Sequence, residues 1–173
     1  MREILKVIKE RRSTRAFKPA QLPQETLDTI TEAGIWAPSG MGRQAIHFTV
    51  LHSAEKTLQL ARAVAAADNR GAEYNFYGAP STILVSVPRD SSTGMLDGAA
   101  AIQNMLLMAQ SLGIGSCWIN QVRVTCDHAD VRALLREFGV PDDHIVVGSI
   151  ALGYIAQDTP AKPRHEGLVT MIH

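Results

Sequence analysis

Apolar and polar positions alternate along the chain with two periods, one typical of helices and the other of strands. Residues 3–10 place Ile4, Leu5 and Ile8 on one face and charges on the other, which predicts a short amphipathic helix. Further helices are predicted over residues 23–36, 54–67, 95–112 and 127–138, and strands over residues 47–51, 82–87, 115–120 and 144–152. Four strands separated by long helical segments indicate an α+β protein with a mixed central sheet wrapped by helices.

The helix predicted over residues 95–112 carries the longest apolar signal in the sequence. It is apolar on most of its faces, and Gly113 suits its C-terminal end. A helix that is apolar nearly all round needs burial nearly all round. In a chain this short, that requirement indicates a central helix that also lies at a subunit contact.

The composition indicates one ordinary globular domain over residues 1–173, because 46% of the residues are apolar, 20% are charged, and no linker or repeat divides the chain. Basic and acidic residues are equally frequent, 17 of each, which disfavours a nucleic-acid partner and is compatible with self-association. No apolar run reaches the roughly 20 residues that span a bilayer, so no membrane partner is expected. Cys117 and Cys126 are interpreted as reduced thiols of a cytoplasmic protein.

Two basic elements lie far apart along the chain. Residues 11–15 contain three arginines and two hydroxyl residues, and Lys162-Pro163-Arg164 follows the last predicted strand. Guanidinium groups pair with phosphate through two parallel charge-assisted hydrogen bonds, so one interpretation is a phosphate clamp. The alternative for each element alone is a solvated basic segment, and only a meeting of the two would favour the clamp.

The loop over residues 37–45 is rich in glycine, serine and proline. Its glycines allow a ligand close to the backbone, while Ser39 and Gln44 supply polar groups. An ordinary connection between a helix and a strand is an equally good interpretation of this loop alone. The glycine patterns of phosphate-binding and dinucleotide-binding loops are absent from the sequence.

Candidate metal ligands carry weaker signals. None of the six histidines has the spacing of a metal site. Cys126, Asp127 and His128 could coordinate a metal ion, but Asp127 is better explained as the N-cap of the helix that follows. Cys117 lies in an apolar strand and is predicted to be a core thiol. No metal is therefore expected.

Three segments, in this order, resemble the nitroreductase family of flavoproteins. They are residues 11–17, residues 36–44, and residues 148–154 followed by the Lys162-Pro163-Arg164 element. Residues 97–119 are also similar to the family's central helix and the strand after it. The likeness spans nearly the whole chain, and the order and spacing of these short motifs make the set specific.

The resemblance implies an intertwined α+β homodimer with one FMN at each of two sites in the subunit interface. By the family pattern, Arg11, Ser13, Lys162 and Arg164 hold the FMN phosphate, and Arg12 lies in the same turn. The C-terminal segment, residues 165–173 with a small extended tail, would reach the partner subunit as an arm.

Other positions are implied around the flavin ring and its sugar chain. Arg15 would lie near the pyrimidine edge, where a cation stabilises the negative charge of reduced flavin. The remaining implied positions are Pro38, Ser39, Gly40 and Gln44, from the loop of the other subunit, and the strand end Trp118, Ile119, Asn120 and Gln121. A backbone N–H of that strand end would reach flavin N5. Trp118 has a second interpretation, as an ordinary core tryptophan.

The resemblance also implies an oxidoreductase in which FMN carries the chemistry and no side chain acts as a nucleophile. NADH or NADPH would reduce FMN, and a nitroaromatic, a quinone or a related electrophile would then accept the electrons in ping-pong turnover. A cluster of aromatic residues is predicted to line the acceptor pocket or the dimer interface: Tyr74, Phe76 and Tyr77. The alternative is a flavin-binding module, for storage, sensing or partner regulation, with little NAD(P)H turnover.

The sequence departs from the family pattern in the loop after Ser39. Gly42 stands where members usually carry asparagine, and Ala45-Ile46 replaces the usual proline and tryptophan. A hydrogen bond near the flavin and an aromatic wall of the pocket are therefore expected to be missing. The short chain also predicts an open site, because any covering excursion must fit between residues 68 and 80.

Overall fold

The computed structural model describes residues 3–172. Its helices are α1 (Glu3–Glu10), α2 (Gln24–Ile35), α3 (Ala54–Ala67), α4 (Gly94–Ser111), α5 (Gln121–Thr125) and α6 (Ala129–Glu137), and its strands are β1 (His47–Leu51), β2 (Ser81–Pro88), β3 (Gly115–Ile119) and β4 (His144–Gly153). Every helix and strand predicted from periodicity is confirmed, with bounds that shift by at most two residues. Helix α5 was not predicted, because five residues are too few to show a helical period.

The four strands form one sheet in the order β1-β2-β4-β3, and all three strand pairings are antiparallel. The α+β class is confirmed. The sequence also predicted a mixed sheet, but the four strands pair only in antiparallel fashion. Among the described residues, the one parallel pairing is an isolated bridge between Ser13 and Ser116. This bridge joins the segment after α1 to the free edge of β3.

Helices cover both faces of the sheet. Leu84 of β2 points into a core shared with α3, α5 and α6, whereas its neighbours Ile83 and Val85 point into a second core shared with α2 and α4. A strand buried on both faces has no polar face, which explains why β2 reads as a continuous apolar and β-branched run. The chain is therefore a three-layer structure with its two cores on either side of β2 and β4.

Helix α4 packs closely over the sheet but leaves one side open. A Cβ at Gly98 would lie 2.6 Å from Val147 of β4, so the helix and the strand meet at their backbones. By contrast, Leu96 is 74% exposed. An apolar groove of about 630 Å³ runs between α1, α2 and α4. Helix α4 was predicted to be buried on nearly all faces, but within one chain part of its surface remains exposed.

Asp127 does not have its predicted role. Helix α6 begins after His128, which is the N-cap, and no side chain caps the helix. Asp127 instead accepts hydrogen bonds from Arg89 and from Nη2 of Arg132, the latter at 2.9 Å. Arg132 is buried with its side chain 9% exposed, so ion pairing of this guanidinium outweighs capping by Asp127.

We expect Asp127→Ala to lower the free energy of unfolding by about 1 kcal/mol at pH 7, because it leaves the buried Arg132 without its carboxylate. The hydrogen bond from Arg89, together with that from Arg132, lowers the pKa of Asp127 from its usual 3.8 to about 2. The contribution of the ionised form is therefore complete above pH 4 and lost as the pH falls toward 2. Urea denaturation of wild type and variant between pH 7 and pH 2.5 measures the difference in their free energies of unfolding, which should narrow as the pH falls.

Asp142→Ala is the matched control. Asp142 pairs with Arg136, and both side chains are more than half exposed, so the freed guanidinium stays solvated. We expect this variant to lose less stability than Asp127→Ala. An equal loss in the two variants would contradict the role given to the burial of Arg132.

Candidate functional site

The basic turn, residues 11–15, lies between β3 and the C-terminal segment, residues 154–164. On one side, the Thr14 N–H donates to the Ser116 carbonyl of β3 at 2.9 Å. On the other side, the Lys18 N–H donates to the Tyr154 carbonyl at 2.9 Å. Backbone hydrogen bonds on both sides therefore fix the turn that carries the arginines.

The structure brings the two basic elements of the sequence together. They line one cavity of about 530 Å³. Its lining includes Arg11, Arg12, Ser13, Lys162 and Arg164, which are the phosphate-side positions predicted from the sequence, and also Arg15, which was predicted near the pyrimidine edge of the flavin. Lys9 at the end of α1 and Thr159 of the C-terminal segment also contribute to the wall. Sequence reasoning missed both, since neither belongs to a motif.

The cavity carries uncompensated positive charge. Burial lowers the pKa of Arg11, Cys117 opposes this shift, and repulsion from Arg12 and from Arg164, each weaker than the effect of Cys117, lowers the pKa further. Among the described residues, none of the lining cations forms an ion pair with a carboxylate. Like charges held this close are stabilised by a bound anion, and several convergent cations suit the two negative charges of a phosphate monoester.

Arg12 has a partner of its own in the turn. Its Nη1 donates to the carbonyls of Lys9 at 2.7 Å and Arg11 at 2.9 Å. These carbonyls belong to the C-terminal end of α1, where a cation is favourable. One guanidinium nitrogen of Arg12 is thus engaged in shaping the turn, while Arg11 and Ser13 keep their side chains free of such intramolecular bonds in the described part of the chain.

Strand β3 leads away from the cavity, and the positions predicted to lie beside the flavin ring are at its C-terminal end. Trp118 is 37% exposed, which contradicts its alternative interpretation as a core tryptophan, and Ile119 is buried. Asn120 accepts a hydrogen bond from Arg123 at 3.1 Å, and Gln121 begins α5. The five residues of β3 span about 16 Å, so this strand can follow a ligand longer than phosphate.

Tyr74 holds Gln121 in place. Its hydroxyl donates to the Gln121 side-chain oxygen at 3.1 Å, and burial raises the pKa of Tyr74 to about 12, so the hydroxyl stays protonated. The predicted role of Phe76 in an acceptor pocket or dimer interface is wrong, because Phe76 is fully buried in the core beside α3. Tyr77 remains partly exposed. Cys117 is a core thiol as predicted, and burial raises its pKa.

The loop over residues 37–45 is held by the first turn of α4. The Gly40 N–H donates to Oδ1 of Asp97 at 3.0 Å, and a Cβ at Gly40 would lie 2.6 Å from Oγ1 of Thr93. Within the loop, the Gln44 N–H donates to the Ser39 hydroxyl at 3.0 Å. Close approach to α4 therefore requires glycine at position 40.

This loop and the basic turn lie toward opposite ends of α4. Asp97 holds the loop, whereas α1, which carries the basic turn, faces Met108 across the apolar groove. Asp97 and Met108 are eleven residue steps apart, which corresponds to about 16 Å of helix. Pro38, Ser39, Gly40 and Gln44 consequently do not line the cationic cavity of their own chain.

Packing does not force the departure from the family at Gly42. Its φ is +63°, and a Cβ there would meet nothing within 4 Å. Asparagine adopts this left-handed conformation more readily than other side chains. An asparagine would fit, so the missing amide is a property of this sequence that the fold does not require.

The described residues place limits on other classes of protein. Within residues 3–172, no helix combines the length and apolarity needed to cross a bilayer. The same part of the chain holds no group of three or more histidine, cysteine or acidic side chains arranged for a metal ion. The fold and its cavity define an α+β protein with a cationic site suited to a phosphate monoester.

Comparison with known proteins identifies the family. The model of the nitroreductase family matches residues 8–154, so the chain belongs to that family. A crystal structure of a nitroreductase with bound FMN from Bacteroides fragilis is 37% identical, covers all of both chains and superposes with a TM-score of 0.93. One from Desulfitobacterium hafniense, also with bound FMN, is 29% identical over all of both chains, with a TM-score of 0.89.

A curated relative adds the type of activity found in the family. The NADPH-flavin oxidoreductase of Vibrio harveyi is 29% identical over 95% of this chain and 70% of its own length. The resemblance inferred from the sequence motifs is confirmed by these matches.

Proposed function

We propose that this protein is an FMN-dependent oxidoreductase that uses NADH or NADPH to reduce nitroaromatics, quinones or related electrophiles. The observation that carries the proposal is the cationic cavity, in which Arg11, Lys162 and Arg164 converge and form no ion pair with a carboxylate of residues 3–172. FMN is the cofactor of the Bacteroides fragilis relative, and its phosphate monoester matches this charge.

The residues of this chain bind and orient the cofactor. Arg11, Ser13, Lys162 and Arg164 hold the phosphate, and Arg12 shapes their turn. FMN supplies hydride transfer when bound. The segment from Trp118 to Gln121, at the end of β3 and the start of α5, directs the ring away from the cavity, with Arg15 as the cation near the pyrimidine edge.

The site is completed by a second copy of the chain. The loop residues Ser39 and Gly40 lie far from the cationic cavity of their own subunit, and a partner can supply them. The apolar groove supports this arrangement, because Ile4 and Trp36, which line it, are each more than 70% exposed. Exposed apolar surface of this extent is typical of an interface.

The C-terminal arm is proposed to cross to the partner. Four apolar residues, Leu168, Val169, Met171 and Ile172, are each more than 70% exposed in one chain, which favours burial against another subunit. His173, the last residue of the predicted arm, lies outside the described residues. A cytoplasmic location stays a prediction, supported by the free thiols Cys117 and Cys126.

The proposal is tested by the absorption spectrum of the FMN-loaded protein, recorded anaerobically before and after addition of NADPH or NADH. We expect flavin bands that bleach with the donor and return when a nitroaromatic or a quinone is added. Sedimentation of the same sample should give twice the mass of one 18.8-kDa chain.

The other outcomes are informative. Bands that persist with both donors would favour the flavin-binding module with little turnover, for which the absence of an amide at Gly42 is the supporting feature. No bands after reconstitution with FMN would overturn the cofactor assignment.

We expect Arg11→Ala and Arg164→Ala each to weaken FMN binding by about 1.5–3 kcal/mol, or roughly 10- to 150-fold in Kd, because each removes a charge-assisted phosphate contact. Flavin fluorescence titration measures the affinity. The control is Arg62→Ala, which removes the same charge from an exposed position on α3. Unchanged affinity in either test variant would show that its residue is misassigned.

We expect Arg15→Ala to lower the FMN reduction potential by a few tens of mV, since about 30 mV corresponds to 1.4 kcal/mol for a two-electron couple. The physical reason is the loss of a positive charge beside reduced flavin. Potentiometric titration measures the shift, with Lys18→Ala as the control because Lys18 is exposed and outside the cavity lining. A potential equal to that of the wild type would contradict the placement of Arg15.

A further inference from the structure

The C-terminal segment reaches the cavity by running antiparallel to the chain that carries the basic turn. Phe17 and Ile155 form an antiparallel bridge, and the Ala156 N–H donates to the Ala16 carbonyl at 3.0 Å. The backbone pairing thus fixes the C-terminal segment against residues 16–17 before it turns toward the cationic cavity.

One side-chain hydrogen bond extends this pairing to the cavity itself. The Thr159 hydroxyl donates to the Ser13 carbonyl at 3.2 Å and is partly buried. In the part of the chain that the structure describes, no hydrogen bond follows it: residues 160–172 make none and are exposed. Thr159 is therefore the last polar attachment before Lys162 and Arg164.

The two cations beyond Thr159 face groups of the same charge. Lys162 and Arg164 share the cavity lining with Arg11 and Arg15. The pKa of Arg11 is lowered mainly by burial, and repulsion from Arg12 and Arg164 adds smaller decreases that Cys117 opposes. Without an anion, this repulsion favours movement of the exposed segment away from the turn. A neutral attachment is needed to keep the cations near the place where a phosphate binds.

The attachment also acts on a phosphate-binding residue directly. Ser13 is bridged to Ser116 on one side and accepts from Thr159 on the other, so its position is fixed from both sides. Thr159 itself carries no charge and adds nothing to the attraction for an anion. Any effect of its hydroxyl on cofactor binding must act through the residues that it holds.

We propose that Thr159 is a positioning residue for the cofactor phosphate: its hydroxyl, bonded to the Ser13 carbonyl, fixes Lys162 and Arg164 opposite Arg11. This inference rests on the proposed function, since it assigns FMN phosphate to the cavity. It predicts an effect of Thr159 that is specific to the phosphate and depends on Arg164.

The test compares FMN with riboflavin, which has the same ring and sugar chain but lacks the phosphate. Both are titrated into flavin-free wild type and into Thr159→Val, which keeps the shape of the side chain and removes the hydroxyl. We expect the variant to bind FMN about three- to tenfold more weakly, the cost of one hydrogen bond, and riboflavin equally well. Thr159→Ser keeps the donor and should restore wild-type FMN affinity.

A second comparison tests the dependence on the cation. In an Arg164→Ala background, Thr159→Val should cause a smaller loss of FMN affinity than in the wild type, because one of the groups that it positions is gone. Equal losses in the two backgrounds would overturn the coupling of Thr159 to Arg164. An equal loss of affinity for FMN and riboflavin would show that Thr159 has a general structural role. No loss of affinity for either flavin would show that Thr159 has no role in flavin binding.

Failure of the proposed function is recognised separately, in the wild type alone. If wild-type protein binds FMN no more tightly than riboflavin, the phosphate is not held by the cationic cavity. A clear wild-type preference for FMN that persists unchanged in Thr159→Val overturns the positioning role and leaves the phosphate site intact.

Discussion

Repulsion among the cations around Arg11 is the constraint on which the arrangement of this site depends. Neutral hydrogen bonds help to hold these like charges together, among them Thr14 to Ser116 on one side and Thr159 to Ser13 on the other. The folded chain therefore carries an unfavourable electrostatic energy that a dianionic ligand relieves. Under the proposed function, we expect the same feature to give affinity for a phosphate and selectivity against flavins that lack one.

Helix α4 organises the rest of the molecule around that cavity. Its buried face joins β4 closely at Gly98, its first turn fixes the loop at Gly40, and its open side borders the apolar groove with α1 and α2. The loop and the basic turn are separated along the helix, and the proposed dimer would bring the loop of one chain to the cationic cavity of its partner. Family membership, the exposed groove and the separated half-sites all favour a dimer.

Much of the fold could be predicted from sequence because each long element repeats a simple pattern. The apolar spacing of Ile4, Leu5 and Ile8 predicted α1, and the β-branched run of β2 predicted a buried strand. Short or locally ambiguous features were missed or misread. Helix α5 is too short to show a helical period. Phe76 lies in the core and not in a pocket or interface, and Asp127 pairs with Arg132 although its sequence position favours an N-cap.

The sequence by itself determined the α+β class, the family and the types of side chain available to the site, because short motifs and residue periodicity can be read directly along the chain. Only the tertiary structure decided that the two basic elements meet and that Thr159 bonds to Ser13. These contacts join residues as far as 146 positions apart. No local pattern records such a contact, because it arises from the pairing of chain segments that fold against a common sheet edge.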